Sequence, residues 1–296
     1  MIWKTKITHL LKIQYPLVMG AFGGWGKAEF ASVFSNAGGL GIIAALNFPN
    51  PENFKKDIRK MKSLTTKPFG INLSLPHHIL HDTDGGKKTK KRYLDYVEIA
   101  LNENCNIFTT SGYRASFIGK RAQEAGSLWF HKCVLVKHAI SAEKEGADGV
   151  TLVGLEGTGF KNPLTNTTLV NITIAKKMLK IPIIAAGGVG DARGFLSVLA
   201  FGADAVCLGT ALMATKECPV PTNIKEKWLK LDIFEESFHN KIYKYNTKNF
   251  MAPSTAIGHH KKLVPTHKLI EELITEASGI LHSWGFNNSE FNTLDL

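Results

Sequence analysis

Short runs of apolar, often β-branched residues recur along this chain, and each is followed by a segment whose apolar positions repeat at helical spacing. The runs fall at 13–19, 40–46, 67–73, 107–110, 128–134, 149–153, 181–186 and 205–208. Helical periodicity occupies 27–36, 50–64, 93–104, 113–125, 137–145, 168–179 and 192–200, with a short helix expected after residue 210. Runs that are apolar throughout read as strands covered on both faces, and regular alternation with helices predicts a parallel sheet with crossover connections. Eight such units is the number that closes a (β/α)8, or TIM, barrel. A doubly wound open sheet produces the same alternation and is the second reading.

The stretch 181–214 carries the clearest local grammar. Its strand breaks at Gly187-Gly188, Asp191 is placed to cap the helix that follows, and Gly202 ends that helix. The next strand breaks at Gly209-Thr210. In a parallel βα array both glycine breaks land at the carboxyl ends of adjacent strands. Backbone N–H groups and helix N-termini there form a site for one phosphate. Beyond Met213 the buried-strand pattern stops; 217–250 is charged and aromatic, and 267–279 is amphipathic with Gly279 as its expected end. These features predict a barrel over 1–218 and a helical extension, 219–296, packed over its mouth.

Composition narrows the class. With 296 residues, 44% of them hydrophobic and 21% charged, the chain has the balance of an ordinary globular protein. Cys105, Cys133, Cys207 and Cys218 show no CxxC spacing, which favours reduced core thiols in a cytoplasmic protein. The N-terminus lacks the unbroken apolar core of a signal peptide, and Asp204 with Gly202 and Gly209 interrupts the only segment apolar enough to suggest a membrane span. The net charge of +11 is densest in Lys87-Lys88-Thr89-Lys90-Lys91-Arg92, which reads as a solvated helical turn. No stacking aromatics surround it, so nucleic acid is not an expected partner. A landing patch for a phosphorylated carrier, such as a CoA thioester or NAD(P)H, is the sharper alternative.

Ala-Ala-Gly-Gly-Val-Gly-Asp-Ala-Arg-Gly from Ala185, then Gly-Ala-Asp-Ala-Val-Cys-Leu-Gly-Thr from Gly202, closely resemble the last two βα units of the nitronate monooxygenase family. Residues 13–20, ending in Met19-Gly20, resemble its first strand; Ser35-Asn36-Ala37-Gly38-Gly39-Leu40-Gly41 its second; and 67–73 its third. The resemblance implies an FMN-binding TIM barrel that acts as an oxidoreductase. It assigns cofactor contacts to Met19, Gly20, Ala21, Asn72, Lys132, Glu156, Gly157, Thr158 and Gly159, and the phosphate to Gly187, Gly188, Gly209 and Thr210. Phe22 and Phe160 would line the substrate pocket. The family's usual turn is Glu-Ala-Gly-Gly-His, its histidine acting as base, whereas here the aligned position is Phe160. Phenylalanine accepts no proton, so a substitute base would have to come from elsewhere. His131, at the end of the fifth strand, is the candidate; His77, His78, His81, His259 and His260 are further histidines near the expected mouth. Alternation along a strand lets only one of His131 and Lys132 face the mouth.

Three functions follow. The first is flavin-mediated oxidation of alkyl nitronates with O2. The second is NAD(P)H-dependent reduction, through the flavin, of an enoyl thioester or quinone; hydride transfer relies on stacking and alignment more than on a base. The third is a phosphate-binding barrel without flavin. One resembling IMP dehydrogenase would carry a catalytic cysteine in a loop after a strand, and Cys105, Cys133 and Cys207 sit within or beside strands instead. No HExxH or other metal spacing and no GxSxG elbow is present. The expected partners are a small-molecule substrate and, as an open alternative, a second copy in a homodimer.

Overall fold

The computed structural model describes residues 1–76, 84–158, 166–240 and 253–294. Strand β1 (Ile2–Lys4) and helix α1 (Lys6–Leu11) precede the repeating units. Then follow β2 (Leu17–Met19), α2 (Ala28–Asn36), β3 (Gly41–Ala44), α3 (Pro51–Leu64), β4 (Phe69–Ser74), α4 (Asp84–Asn102), β5 (Ile107–Ser111) and α5 (Ser116–Glu124). The second half runs β6 (Leu128–Cys133), α6 (Val136–Lys144), β7 (Gly149–Val153), α7 (Thr168–Met178), β8 (Ile183–Ala186), α8 (Ala192–Ala200) and β9 (Ala205–Leu208). After the barrel come α9 (Thr210–Met213), α10 (Thr222–Leu229), α11 (Glu236–His239), α12 (Thr266–Ser283) and β10 (Glu290–Asn292).

The central sheet is parallel throughout, in the order β2-β9-β8-β7-β6-β5-β4-β3. Its two ends meet: Leu40 N–H donates to Leu17 O and Met19 N–H to Leu40 O, each at 2.9 Å. The sheet therefore closes as the TIM barrel that the eight βα units predict, and the open-sheet alternative falls away. The strands are buried on both faces, β7 and β8 along their whole length, as their unbroken apolar runs require.

Acidic residues tie the end of the barrel opposite the mouth. Asp148 accepts from Trp129 N–H (2.7 Å), and Asp204 accepts from Ile183 N–H (3.0 Å), so each residue before one strand fixes the start of its neighbour. Helix starts follow the expected capping chemistry: Asn50 accepts from Glu52 N–H with Pro51 behind it, and Asp191 accepts from Gly194 N–H at 2.8 Å. Among the described residues no helix is long and apolar enough to cross a membrane, and all four cysteines are free thiols.

The C-terminal helix departs from its expected place. It runs on past Gly279 to Ser283 and packs against α8 and α2 on the outer ring rather than across the mouth. Leu269, Ile270, Leu273, Ile274, Ala277, Ile280 and Leu281 join the core continuous with the barrel. Only β9 lacks a full-length helix of its own, and α12 occupies that position. The part of the extension that does approach the mouth is the 3-10 turn Thr255–His259, packed on α9. Sequence periodicity also passed over β1 and β10, three residues each, which pair in parallel with Lys4 Nζ on Glu290 at 2.8 Å.

Two glycines test this packing in opposite directions. A Cβ at Gly119 in α5 would lie 2.1 Å from the Trp129 ring, so Gly119→Ala should lower stability by about 1–3 kcal/mol through overpacking. Gly279 sits exposed within α12 with nothing near its missing Cβ, so Gly279→Ala should raise stability by about 0.5–1 kcal/mol. Urea unfolding midpoints of the two variants check both signs.

Candidate active site

A cavity of about 620 Å³ opens at the carboxyl ends of the strands. Each neighbouring unit contributes the residues just past its strand: Gly20, Ala21 and Phe22 after β2, Gly157 and Thr158 after β7, Gly187 and Gly188 after β8, Gly209 and Thr210 after β9. Ser74, Ser111, Lys132, Val153, Ala186 and Cys207 line it from the strands or their ends. Gly187 and Gly188 take φ of +106° and +81°, a left-handed turn that exposes backbone where a side chain would stand. A Cβ on Gly187 would come within 3.0 Å of Gly157 N and Thr168 Oγ1. Gly209 has no atom within 4 Å of its missing Cβ, so the backbone there borders open cavity. Thr210 Oγ1 accepts from both Ser254 N–H and Ser254 Oγ–H at 3.0 Å, which brings the C-terminal 3-10 turn to the second glycine corner.

Strand β6 sorts its side chains by alternation. Lys132 pairs in register with Ser111 and Thr151 and turns into the cavity. His131 turns the other way, into a second cleft, where its Nδ1 lies 2.8 Å from Thr110 Oγ1. The catalytic role expected for His131 is therefore not met by its position: β6 allows one of the two residues to face the mouth, and it is the lysine. Burial also lowers the His131 pKa to about 4, so the ring is neutral at physiological pH.

The other expected contacts divide. Gly20, Ala21, Phe22, Lys132, Gly157, Thr158, Gly187, Gly188, Gly209 and Thr210 gather on one cavity. Glu156 does not line it; the carboxylate accepts from Thr168 N–H (2.9 Å) and Thr168 Oγ–H (2.9 Å) and so caps α7. Asn72 is buried below the cavity, where its amide donates to Thr109 Oγ1 (2.9 Å) and its carbonyl accepts from Ser74 Oγ–H (3.2 Å). Met19 is likewise buried away from the lining. Gly159, Phe160, His77, His78 and His81 lie outside the described residues. His259 Nδ1 stands 3.5 Å from Asp191, and His260 is buried; neither lines the cavity. Ser74, Ser111 and Ser254 were missed. Ser74 and Ser111 close strand ends, and their Oγ atoms lie 2.6 Å apart, but serine at a strand end carries no sequence signal of its own.

Lys132 is the sole charged residue among the described lining residues, which include neither histidine nor carboxylate. No carboxylate pairs with it among the described residues. Desolvation pushes its pKa below the ordinary lysine value, while the neighbouring Cys207 acts in the opposite direction. Burial in turn raises the Cys207 pKa, so that sulfur is held as a neutral thiol. A half-buried lysine placed this way, beside two glycine corners that present backbone amides, makes the cavity receptive to anions at more than one point.

Residues 4–235 match the family model described as nitronate monooxygenase. A 5-hydroxy-7a-methyl-1-oxo-octahydro-1H-indene-4-carboxyl-CoA dehydrogenase of Mycobacterium tuberculosis is 32% identical over 228 residues, covering 77% of this chain and 60% of that protein. A probable nitronate monooxygenase of Staphylococcus aureus is 29% identical over 245 residues, 72% of this chain and 69% of the other. The chain thus spans about 60% of the length of the CoA dehydrogenase relatives it matches. In three dimensions it resembles FabK from Thermotoga maritima, with a TM-score of 0.79 and 25% identity over 95% of this chain and 98% of the other. A nitroalkane oxidase from Streptomyces ansochromogenes, 22% identical with a TM-score of 0.74 over 94% and 99% of the two chains, shares the fold.

The uncompensated lysine has a measurable cost. In ligand-free protein Lys132→Met should raise stability by about 1 kcal/mol, because a partly desolvated amine gives way to an apolar side chain of similar length. Between the lowered folded pKa of Lys132 and the ordinary lysine value, the unfolded chain binds more protons, so the stability of the parent protein rises with pH there. Chemical unfolding at stepped pH should show that slope in the parent and a shallower one in Lys132→Met.

Proposed function

The chain belongs to the nitronate monooxygenase family of oxidoreductases, and on that premise we propose an FMN-dependent enzyme that oxidises a small anionic substrate, an alkyl nitronate, with O2 to a carbonyl compound and nitrite. The observation that carries this reading is Lys132, a half-buried lysine without a carboxylate partner among the described residues, set in a cavity cornered by Gly187-Gly188 and Gly209-Thr210. These residues fit FMN. The two glycine corners would hold the phosphate, as backbone amides at helix starts do. Gly20, Ala21, Gly157 and Thr158 leave room for a flat ring system, and the cavity volume of about 620 Å³ lies within the range of small-molecule sites. When bound, FMN supplies the electron-transferring and O2-reactive centre that amino-acid side chains lack.

The protein's own part is electrostatic. Lys132 attracts and orients an anion in a site from which much of the water is excluded, where one charge counts for more than it does in bulk solvent. A nitronate arrives already deprotonated and asks no base of the protein. A neutral nitroalkane must first lose its α-proton, and the described lining residues offer no histidine or carboxylate for that step. By the family resemblance Phe160 stands where a base would be. We assign residues 1–218 to the flavin barrel and 219–296 to an extension whose Ser254 and Ala256 complete the cavity wall.

A second reading, NAD(P)H-dependent reduction of an enoyl thioester or quinone, is favoured by two observations. The M. tuberculosis relative carries a CoA thioester in its name. The basic turn Lys87–Arg92 begins α4, which follows β4 and so starts on the mouth side of the barrel, where a phosphorylated carrier would arrive.

The purified protein should be yellow, with absorbance bands near about 370 and 450 nm. In Gly209→Val the added Cβ has no protein atom within 4 Å and the side chain enters the cavity, so this variant should fold normally and lose the bound flavin. A colourless parent that stays colourless with excess FMN overturns the flavin assignment. Mixing under anaerobic conditions decides between the two chemistries: bleaching by an alkyl nitronate and not by the parent nitroalkane supports the first, and bleaching by NADH or NADPH alone supports the second.

A further inference from the structure

The outer ring of helices is closed everywhere except at one place. Helix α2 packs on α3, α3 on α4, α4 on α5, α6 on α7, α7 on α8, and α12 on both α8 and α2, whereas α5 and α6 make almost no contact. Their lower ends are tied by the Gln123 amide donating to Gly146 O (2.6 Å) and Asp148 Oδ2 (3.0 Å). Above that tie lies a cleft of about 350 Å³, behind β6 and outside the barrel. Its wall is largely apolar, with Trp129, Leu135 and Ala142 among the lining residues. Arg114 spans one side and pairs with Glu145 at 2.9 Å, so the two charges neutralise each other.

One polar group of the wall is held in a fixed orientation. The Thr110 hydroxyl accepts from the Trp129 indole N–H at 2.8 Å, and its Oγ1 lies 2.8 Å from His131 Nδ1 and 3.4 Å from Phe130 O. Directing the Thr110 hydrogen at Nδ1, the nearer of its two acceptors, assigns the histidine proton to Nε2. His131 lines the cleft, and Nε2 has no partner among the described residues. A donor fixed by two buried neighbours, and then left without an acceptor in an apolar recess, is the feature that a ligand oxygen would satisfy.

We propose that the α5–α6 cleft is a second small-molecule site, sharing only Lys132 of β6 with the mouth cavity, for an uncharged ligand with a compact apolar body and one carbonyl-type oxygen that accepts from His131 Nε2–H. Arg114 and Glu145 neutralise each other and the wall is largely apolar, which favours an uncharged ligand. The volume is at the lower end of the range for small-molecule sites, which limits the occupant to a compact one. His131 remains neutral down to about pH 4 because of its burial, so its donor capacity is constant across the physiological range.

Acetophenone is a suitable probe, titrated calorimetrically into the purified protein. Saturable one-site binding is expected, and it should persist in flavin-free Gly209→Val, which separates this site from the mouth cavity. His131→Phe should weaken binding about two- to tenfold by removing one hydrogen bond, and His131→Gln, which keeps an N–H donor, should restore most of it. Ser141 is an exposed residue on the cleft wall, so Ser141→Phe should leave the far-ultraviolet circular dichroism unchanged while abolishing binding. Absence of binding, equal affinity in His131→Phe and Ser141→Phe, or loss of binding in Gly209→Val would each overturn the proposal.

Discussion

Desolvation works against the charge of the half-buried Lys132 ammonium, and no carboxylate described around it offsets that cost. Its place is not a matter of side-chain choice. The pairing of Ser111, Lys132 and Thr151 across three parallel strands fixes it on the inner face of a closed barrel, at the last layer before the mouth. Closure through Leu40 leaves the sheet no freedom to twist the residue outward. The site is therefore built around an unmet charge, and the glycine corners, which bring backbone amides forward at Gly187, Gly188 and Gly209, extend the same preference for an anion along the cavity wall.

The same strand separates two chemistries by a single residue. On the inner face desolvation works against the charge of the lysine; on the outer face His131 gives up its charge and serves as a neutral donor. The two lie on opposite sides of one pleat, so neither can substitute for the other without a register slip that would invert the whole of β6. That strand is paired on both sides along nearly its full length, which makes such a slip prohibitive.

Much of this was legible in the sequence, and the reasons are physical. Strands buried on both faces are unbroken apolar runs, so their number and order could be read, and the helix starts at Asn50 and Asp191 announced themselves by their capping side chains. What escaped was of two kinds. Elements of three to six residues, such as β1, α1 and β10, are too short to show a period. Residues that share a motif need not share a role. Ser35 to Gly41 forms a turn at the end of the barrel opposite the mouth, where Ser35 Oγ accepts from Gly41 N–H and a Cβ on Gly41 would strike Ala31 O at 2.1 Å. Glu156 likewise sits inside a cofactor-like motif yet caps a helix, because a carboxylate beside a free helix N-terminus finds donors there first. Helix α12 was legible as a helix but not in its place, since amphipathicity reports that a face is covered and not by what.

The placement of α12 also bears on how the protein is made. The seam between α8 and α2 is sealed by residues 266–283, and Trp3, near the start of the chain, rests its ring against both Phe195 and Phe291. On the ribosome the eight strands emerge long before these partners do. A nascent barrel must therefore wait with an apolar flank bare to solvent, the situation in which chaperones engage unfinished chains. Synthesis of residues 266–283, rather than of the final strand of the barrel, is the event that buries it.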